Sequence, residues 1–169
     1  MTSLSERLKN NEIVLLDGGV STEIQQQGVA LDTEVWSGIA HKTHPDAVRQ
    51  VHEDYIRAGA QVITTNTFST ARHVLESIEL GDEVKTINTE AVQLAKVARD
   101  NVATGEIWIA GSMSSTQPLN SKQEVATGKK AAANYHAHLY GCVRADQGSL
   151  VLCGAPTRDD HDPSTICSI

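Results

Sequence analysis

The sequence predicts an α/β fold built on a parallel sheet or barrel, and three observations carry that prediction. Four consecutive apolar residues, Ile13-Val14-Leu15-Leu16, run into Asp17-Gly18-Gly19, as a strand buried on both faces does when it ends at a working edge. The runs Gln61-Val62-Ile63-Thr64-Thr65-Asn66-Thr67-Phe68 and Glu106-Ile107-Trp108-Ile109-Ala110-Gly111-Ser112 repeat the pattern, each delivering polar residues or glycine at its C-terminal end. Helix-length amphipathic segments separate the three runs, the order that builds parallel strands with helical crossovers. Ligands gather at the C-terminal strand ends in such folds. Asp17, Asn66 and Ser112 are therefore the first functional candidates.

Taken in order, residues 2–11 are polar with Leu4 and Leu8 four apart, which predicts one or two helical turns over the bottom of the sheet or barrel. After the first strand Gly18-Gly19 turns the chain, and Ser21 or Thr22 is placed to cap a short helix that runs through Gln27 and ends at Gly28. Residues 29–43 form a loop carrying Trp36, expected to cover part of the strand ends or simply to pack there. His44-Pro45-Asp46 opens the next helix, with proline at its first position and an acid in its first turn. Val48, Val51, Tyr55 and Ile56 share one face of it, and Gly59 closes it. A polar turn and a shorter helix through Ser77 follow the second strand. Residues 82–101 then place Val84, Ile87, Ala91, Leu94, Ala95 and Ala98 at helical spacing. After the third strand, Ser121-Lys122-Gln123-Glu124 matches a capping box for a helix to about His138. Helical periodicity stops after Leu139. Residues 149–152 have strand character, and Pro156 and Pro163 interrupt what comes after. Residues 1–139 thus read as one folded unit and 140–169 as a divergent, poorly ordered tail.

Composition narrows the function. The 169 residues are 40% hydrophobic, enough for one domain with a core. A net charge of -7 opposes nucleic-acid or anionic-membrane binding, which needs clustered Lys and Arg. No 18-residue apolar run and no leader pattern is present, so a cytoplasmic protein acting on small molecules is expected. Three cysteines, Cys142, Cys153 and Cys167, form an odd set near one end, unlike a disulfide framework.

Several of these segments resemble the homocysteine S-methyltransferase family: Leu15-Leu16-Asp17-Gly18-Gly19-Val20-Ser21-Thr22-Glu23, Val35-Trp36-Ser37, Pro45 with Val51-His52 and Tyr55, Ala58-Gly59-Ala60, Val62-Ile63-Thr64-Thr65-Asn66-Thr67-Phe68, and Ala110-Gly111-Ser112. Their order and spacing make the resemblance specific over roughly residues 12–139. It implies a (β/α)8 TIM-type barrel, of which about the first half is present, with the site at the strand C-termini. It also implies methyl transfer to the homocysteine thiolate, giving methionine, on a zinc ion held by three cysteines, because metal coordination deprotonates a thiol that is mostly protonated at neutral pH. The family's Gly-x-Asn-Cys and Gly-Gly-Cys-Cys zinc motifs are absent, and Cys142 and Cys153 match neither. The ligand role is therefore assigned to no residue. The missing motifs and the change of texture after Leu139 suggest a truncated or frameshifted reading frame.

By the resemblance, Asp17, Gly18 and Gly19 line the homocysteine pocket, where a carboxylate and free amides suit the two ends of an amino acid. A turn whose Asp merely satisfies nearby amides remains the alternative. Thr22 joins the pocket or only caps its helix, and Asn66 and Thr67 form part of the rim or only a turn. Gly111 and Ser112 are weaker candidates. His136 and His138, two apart on one helix, point to opposite sides and cannot share an ion. Asp159-Asp160-His161-Asp162 reads as a solvated charge run. The rival to an enzyme is a non-catalytic half-barrel that self-associates through open sheet edges or binds a partner.

Overall fold

The computed structural model describes residues 4–113 and 150–153. Its parallel three-stranded sheet, β1 (Val62–Thr64), β2 (Trp108–Met113) and β3 (Leu150–Cys153), is ordered β1-β2-β3. Val62 pairs with Trp108, Thr64 with Ala110, Ala110 with Leu150 and Met113 with Cys153. Residues 15–17 extend the sheet beyond β1. Leu16 bridges Val62 in parallel, the Leu15 carbonyl accepts from the Val62 N–H at 3.1 Å, and the Asp17 N–H donates to the Val62 carbonyl at 2.9 Å.

The alternation of side chains along a strand divides the sheet into two faces. Ile63 and Ile109 face the long helices, packing with Ile56, Ala60 and Ala95. Val62, Trp108 and Ala110 lie on the other face, against Leu4 of the N-terminal helix α1 (Leu4–Lys9) and Val14. Arg7 of α1 sets its guanidinium 5.3 Å from the Trp108 ring centroid, closing that end of the face with a cation–π contact.

Each helix forms where its apolar period and its ends agree. α2 (Val20–Gln26) buries Val20 and Ile24 and stops before Gly28, whose φ of 89° suits glycine at a helix exit. Its N-cap is Gly19, so Ser21 and Thr22 sit inside the first turn rather than capping it. The turn glycine already frees the first amides, and the helix begins two residues early. A short helix α3 (Ala40–Thr43) occupies the end of the expected 29–43 loop. α4 (Pro45–Arg57) begins with the predicted proline, buries Val48, Val51, His52 and Ile56 at three- and four-residue spacing, and leaves through Gly59 at φ 104°. Glu53, also buried on α4, accepts from Arg49, Arg57 and Asn101, the last reaching over from the end of α6. After β1, α5 (Arg72–Glu76) and a 3-10 turn at Gly81–Glu83 lead into α6 (Val84–Val102), which packs Ile87 with Val35 and Leu75 and packs Ala95 with Ile56 of α4 and Ile63 and Ile109 of the sheet. No helix among the described residues is long and apolar enough to cross a membrane.

One expectation needs correcting. Residues 13–16, expected to be a strand buried on both faces, make one bridge, and Ile13, Leu15 and Leu16 are exposed because no neighbour covers them among the described residues. Residues 149–152, read from the sequence as having strand character, overlap a strand at 150–153 in register with β2. The helix expected over 121–138 and the remainder of the tail lie outside the described residues.

Candidate functional site

The polar ends of the first two strands meet through side-chain hydrogen bonds. The Asp17 carboxylate spans from the edge segment to β1: Oδ2 accepts from the Thr64 N–H at 2.6 Å and from Thr64 Oγ1 at 2.9 Å, and Oδ1 lies 3.1 Å from the same hydroxyl. Burial raises its pKa above the usual carboxylate value, against the opposing pull of the Thr64 bonds. Burial thus disfavours the charged form of this carboxyl more than its hydrogen bonds favour it. Gly18 and Gly19, next in the chain, are exposed. A Cβ at residue 18 would stand 2.7 Å from Tyr55 Oη, so glycine is what lets the Tyr55 ring approach the turn. Thr22 is exposed beside it, its Oγ1 3.1 Å from where a Cβ of residue 19 would lie.

Asn66 and Thr67 are both buried, and internal partners hold them. Asn66 Nδ2 donates to the Ser37 carbonyl at 2.6 Å, and Ser37 Oγ donates to Asn66 Oδ1 at 2.7 Å. A hydroxyl has one proton, so the 2.6 Å contact between Ser21 and Ser37 runs from Ser21 to Ser37. This directed chain fixes α2 and the 29–39 loop onto the end of β1. Thr67 Oγ1 donates to the Ser112 carbonyl at 2.7 Å and accepts from the Ser112 N–H at 3.2 Å, while Thr65 Oγ1 lies 2.8 Å away. The strand ends carrying Asp17, Asn66 and Ser112 are thus tied one to the next.

An aromatic pair overhangs this edge. Trp36 and Phe68 stack with ring centroids 6.0 Å apart and planes 17° apart, and both remain substantially exposed. Trp36 adopts φ 50°, costly for a bulky residue, held by paired backbone bonds to Asp32. Two Asp32 bonds, to the N–H groups of Glu34 and Val35, brace the same loop. Sequence reasoning placed Trp36 in a covering loop and quoted Phe68, Tyr55, Ser37 and Thr64 within the resembling segments, but gave those four no place in the site. Spacing does not announce a stack between residues 36 and 68, and only the clustering of Ser and Thr at strand ends pointed toward the hydrogen-bonded chains.

Among the described residues no group of three His, Cys, Asp or Glu side chains stands close enough to hold a metal ion. Cys142, Cys167, His136, His138 and residues 159–162 fall outside the described residues.

The description "homocysteine S-methyltransferase" belongs to the family model that matches residues 14–153, beyond the 139 at which the sequence resemblance was drawn. The chain is 32% identical over 181 residues to an S-methylmethionine–homocysteine S-methyltransferase of Pongo abelii, covering 93% of this chain and 47% of the relative. It is 36% identical over 126 residues to betaine–homocysteine S-methyltransferase 1 of Xenopus tropicalis, covering 72% of this chain and 30% of that one. The crystal structure of the homocysteine methyltransferase MmuM from Escherichia coli, metallated form, superposes with a TM-score of 0.65 at 26% identity, covering 86% of this chain and 55% of that one. The chain therefore spans between 30% and 55% of the length of these relatives.

Proposed function

The chain belongs to the homocysteine S-methyltransferase family, and from that premise we propose that the protein acts in methyl transfer to the sulfur of homocysteine, giving methionine, with these strand ends holding the substrate's amino-acid end. In this reading the sheet is an arc of a (β/α)8 barrel and its polar strand ends are the barrel's working face. The observation that carries the proposal is Asp17: a half-buried carboxylate with raised pKa, beside two exposed turn glycines, at the C-terminal end of an edge strand. The substrate ammonium relieves the desolvation of Asp17, and the amides of the Gly18-Gly19 turn offer donors to the substrate carboxylate. Thr22 borders the same pocket. Asn66 and Thr67, spent on internal bonds, position the rim rather than touch the substrate.

The exposed Trp36–Phe68 stack suits the methyl donor. Betaine and S-methylmethionine, named for the relatives, each carry a cationic centre, and aromatic faces attract such cations without a compensating charge. A zinc ion, which the resemblance implies, would hold the homocysteine sulfur as its thiolate, and the Escherichia coli relative has a metallated form. The residues present do not fit it, since the described part holds no three-ligand cluster and the sequence lacks both cysteine motifs. What these residues contribute is binding and orientation of the substrate.

The test is an NMR titration of the chain with homocysteine and, separately, with 4-mercaptobutanoate, which lacks the amine. Shifts at the amides of Asp17, Gly18 and Gly19 with homocysteine only, lost in Asp17→Asn, are expected. Equal responses to both thiols would remove the ammonium role of Asp17.

A further inference from the structure

Trp36 holds φ 50°, left-handed backbone that a bulky side chain keeps only where its surroundings impose it. Its neighbours on both sides are buried and tied to the segment that follows β1. The Val35 carbonyl accepts from Ser69 Oγ and from the Gly38 N–H, each at 2.6 Å, and the Ser37 carbonyl accepts from Asn66 Nδ2 at 2.6 Å. Residue 36 itself points outward with its ring stacked on Phe68. Those ties fix where the chain passes but not the sense in which it turns at residue 36. Asp32 supplies that. Its backbone pairs with Trp36 in both directions, N–H to carbonyl at 2.9 Å and carbonyl to N–H at 3.1 Å. Its Oδ1 accepts from the N–H groups of Glu34 at 2.7 Å and Val35 at 2.9 Å. Residues 32–36 thus close a loop in which two amides turn onto one carboxylate oxygen. The Val35 and Glu34 amides in turn hold the Asp32 carboxyl below its usual pKa.

We propose that Asp32 is a positioning residue for the aromatic platform, its two side-chain bonds keeping Trp36 in the conformation that lays the indole on Phe68. The role rests on the reading of the stack as the methyl donor's platform for its purpose, but not for its geometry. A cation gains from an aromatic face only when it sits over the ring within about 6 Å of the centroid, so a ring that swings on an unbraced loop spends little time where the ligand can use it. Phe68 is set from its own side. Thr67 before it is bonded to Ser112 and Ser69 after it to Val35, which fixes the chain at both of its neighbours. Trp36 is the half of the pair whose place depends on a loop, and Asp32 closes that loop. Both bonds end on the same oxygen, so one acceptor there suffices and the negative charge is not what the loop requires.

NMR of the whole 169-residue chain tests this through ring resonances that are few, since the sequence has two tryptophans and one phenylalanine. The wild type is expected to show nuclear Overhauser contacts between the Trp36 indole and the Phe68 ring. Asp32→Ala is expected to abolish them with helical circular dichroism unchanged. Asp32→Asn should keep them, because its amide oxygen accepts both bonds, and Asp32→Glu should lose them, because its carboxylate stands one methylene further out. Titration with tetramethylammonium chloride, against sodium chloride at the same concentration, reads the consequence. The Ala and Glu variants are expected to bind about two- to fivefold more weakly, the worth of one aromatic face, and the Asn variant to bind as wild type does. If Asp32→Ala unfolds, the Asn and Glu variants alone give the same comparison. Ring contacts absent from wild type or persisting in Asp32→Ala overturn the positioning role. So does an order in which Glu matches wild type and Asn matches Ala, which locates the effect in the charge. Tetramethylammonium that shifts no wild-type ring resonance, while the contacts follow the expected order, removes the cation reading of the stack and leaves the role of Asp32 standing.

Discussion

Replacing His52 by leucine is expected to flatten the acid side of the stability profile. His52 sits on the buried face of α4 with no exposed surface, and neither ring nitrogen has a hydrogen-bond partner. Burial alone lowers its pKa from 6.5 to about 4. The folded protein thus keeps this imidazole neutral where the unfolded chain protonates it, so the unfolded state binds more protons between those values. Stability rises with pH through that window and is level above it. The spread between the two values caps the penalty at about 3 kcal/mol below pH 4 and leaves about 2 kcal/mol of it at pH 5, at 1.36 kcal/mol per pH unit. His41, which burial and then the neighbouring Lys42 also push down to about 4, acts in the same window, so the comparison must be wild type against variant at each pH. Urea unfolding at pH 5, 6 and 7 is the assay. His52→Leu should be at least as stable as wild type at pH 7, because it removes two unpartnered polar atoms, and should gain about 2 kcal/mol relative to wild type at pH 5. Parallel pH profiles, or a variant clearly weaker at pH 7, would show that the imidazole is bonded or hydrated in the fold.

Ser37→Ala deletes the middle of the Ser21–Ser37–Asn66 chain and leaves Asn66 Oδ1 short of its donor in a buried place. A loss of roughly 1–3 kcal/mol is expected, read by thermal unfolding, and a change within 0.5 kcal/mol or so would show that water fills the gap. The 169-residue chain by itself is expected to give no methionine from homocysteine with either S-methylmethionine or betaine, because neither cysteine motif of the family is in its sequence. Turnover above a no-protein control that a chelator abolishes would refute this.

What the sequence disclosed follows from how local each signal is. α4 was legible nearly to the residue because proline at its start, the Val48–Val51–Ile56 spacing and Gly59 at its exit all lie within the helix or beside it. α6 was legible for the same reason, its run of buried alanines needing nothing from elsewhere. The first strand was only half legible. Its apolar run reports what a complete sheet would bury, but burial depends on a neighbour that residues 13–16 do not specify. Asp17 was singled out because an acid follows four apolar residues where a strand would end. Its bond to Thr64 was not, since nothing in residues 13–19 says which residue of the next strand sits opposite. α3 was missed because four residues are too few to show a period.

The strand ends owe their order to one another rather than to the loops above them. Asp17 is tied to Thr64, Asn66 to Ser37 and Thr67 to Ser112, each bond joining residues far apart in sequence. A rim fixed in this way has already lost the freedom that a binding loop would lose on meeting a ligand, so, under the proposed function, contacts made there would carry less ordering cost. The same ties explain why Asp17 resists a simple division into structural and functional roles. Its Oδ2 secures the top of β1 through the Thr64 N–H, while the desolvation that remains uncompensated sets its pKa upward, the feature the proposed ammonium contact would relieve. Asp17→Asn separates the two, because an amide oxygen still accepts from Thr64 but carries no charge. A fold that survives this change while the response to homocysteine disappears locates the recognition in the charge, whereas a loss of both together returns the residue to the sheet.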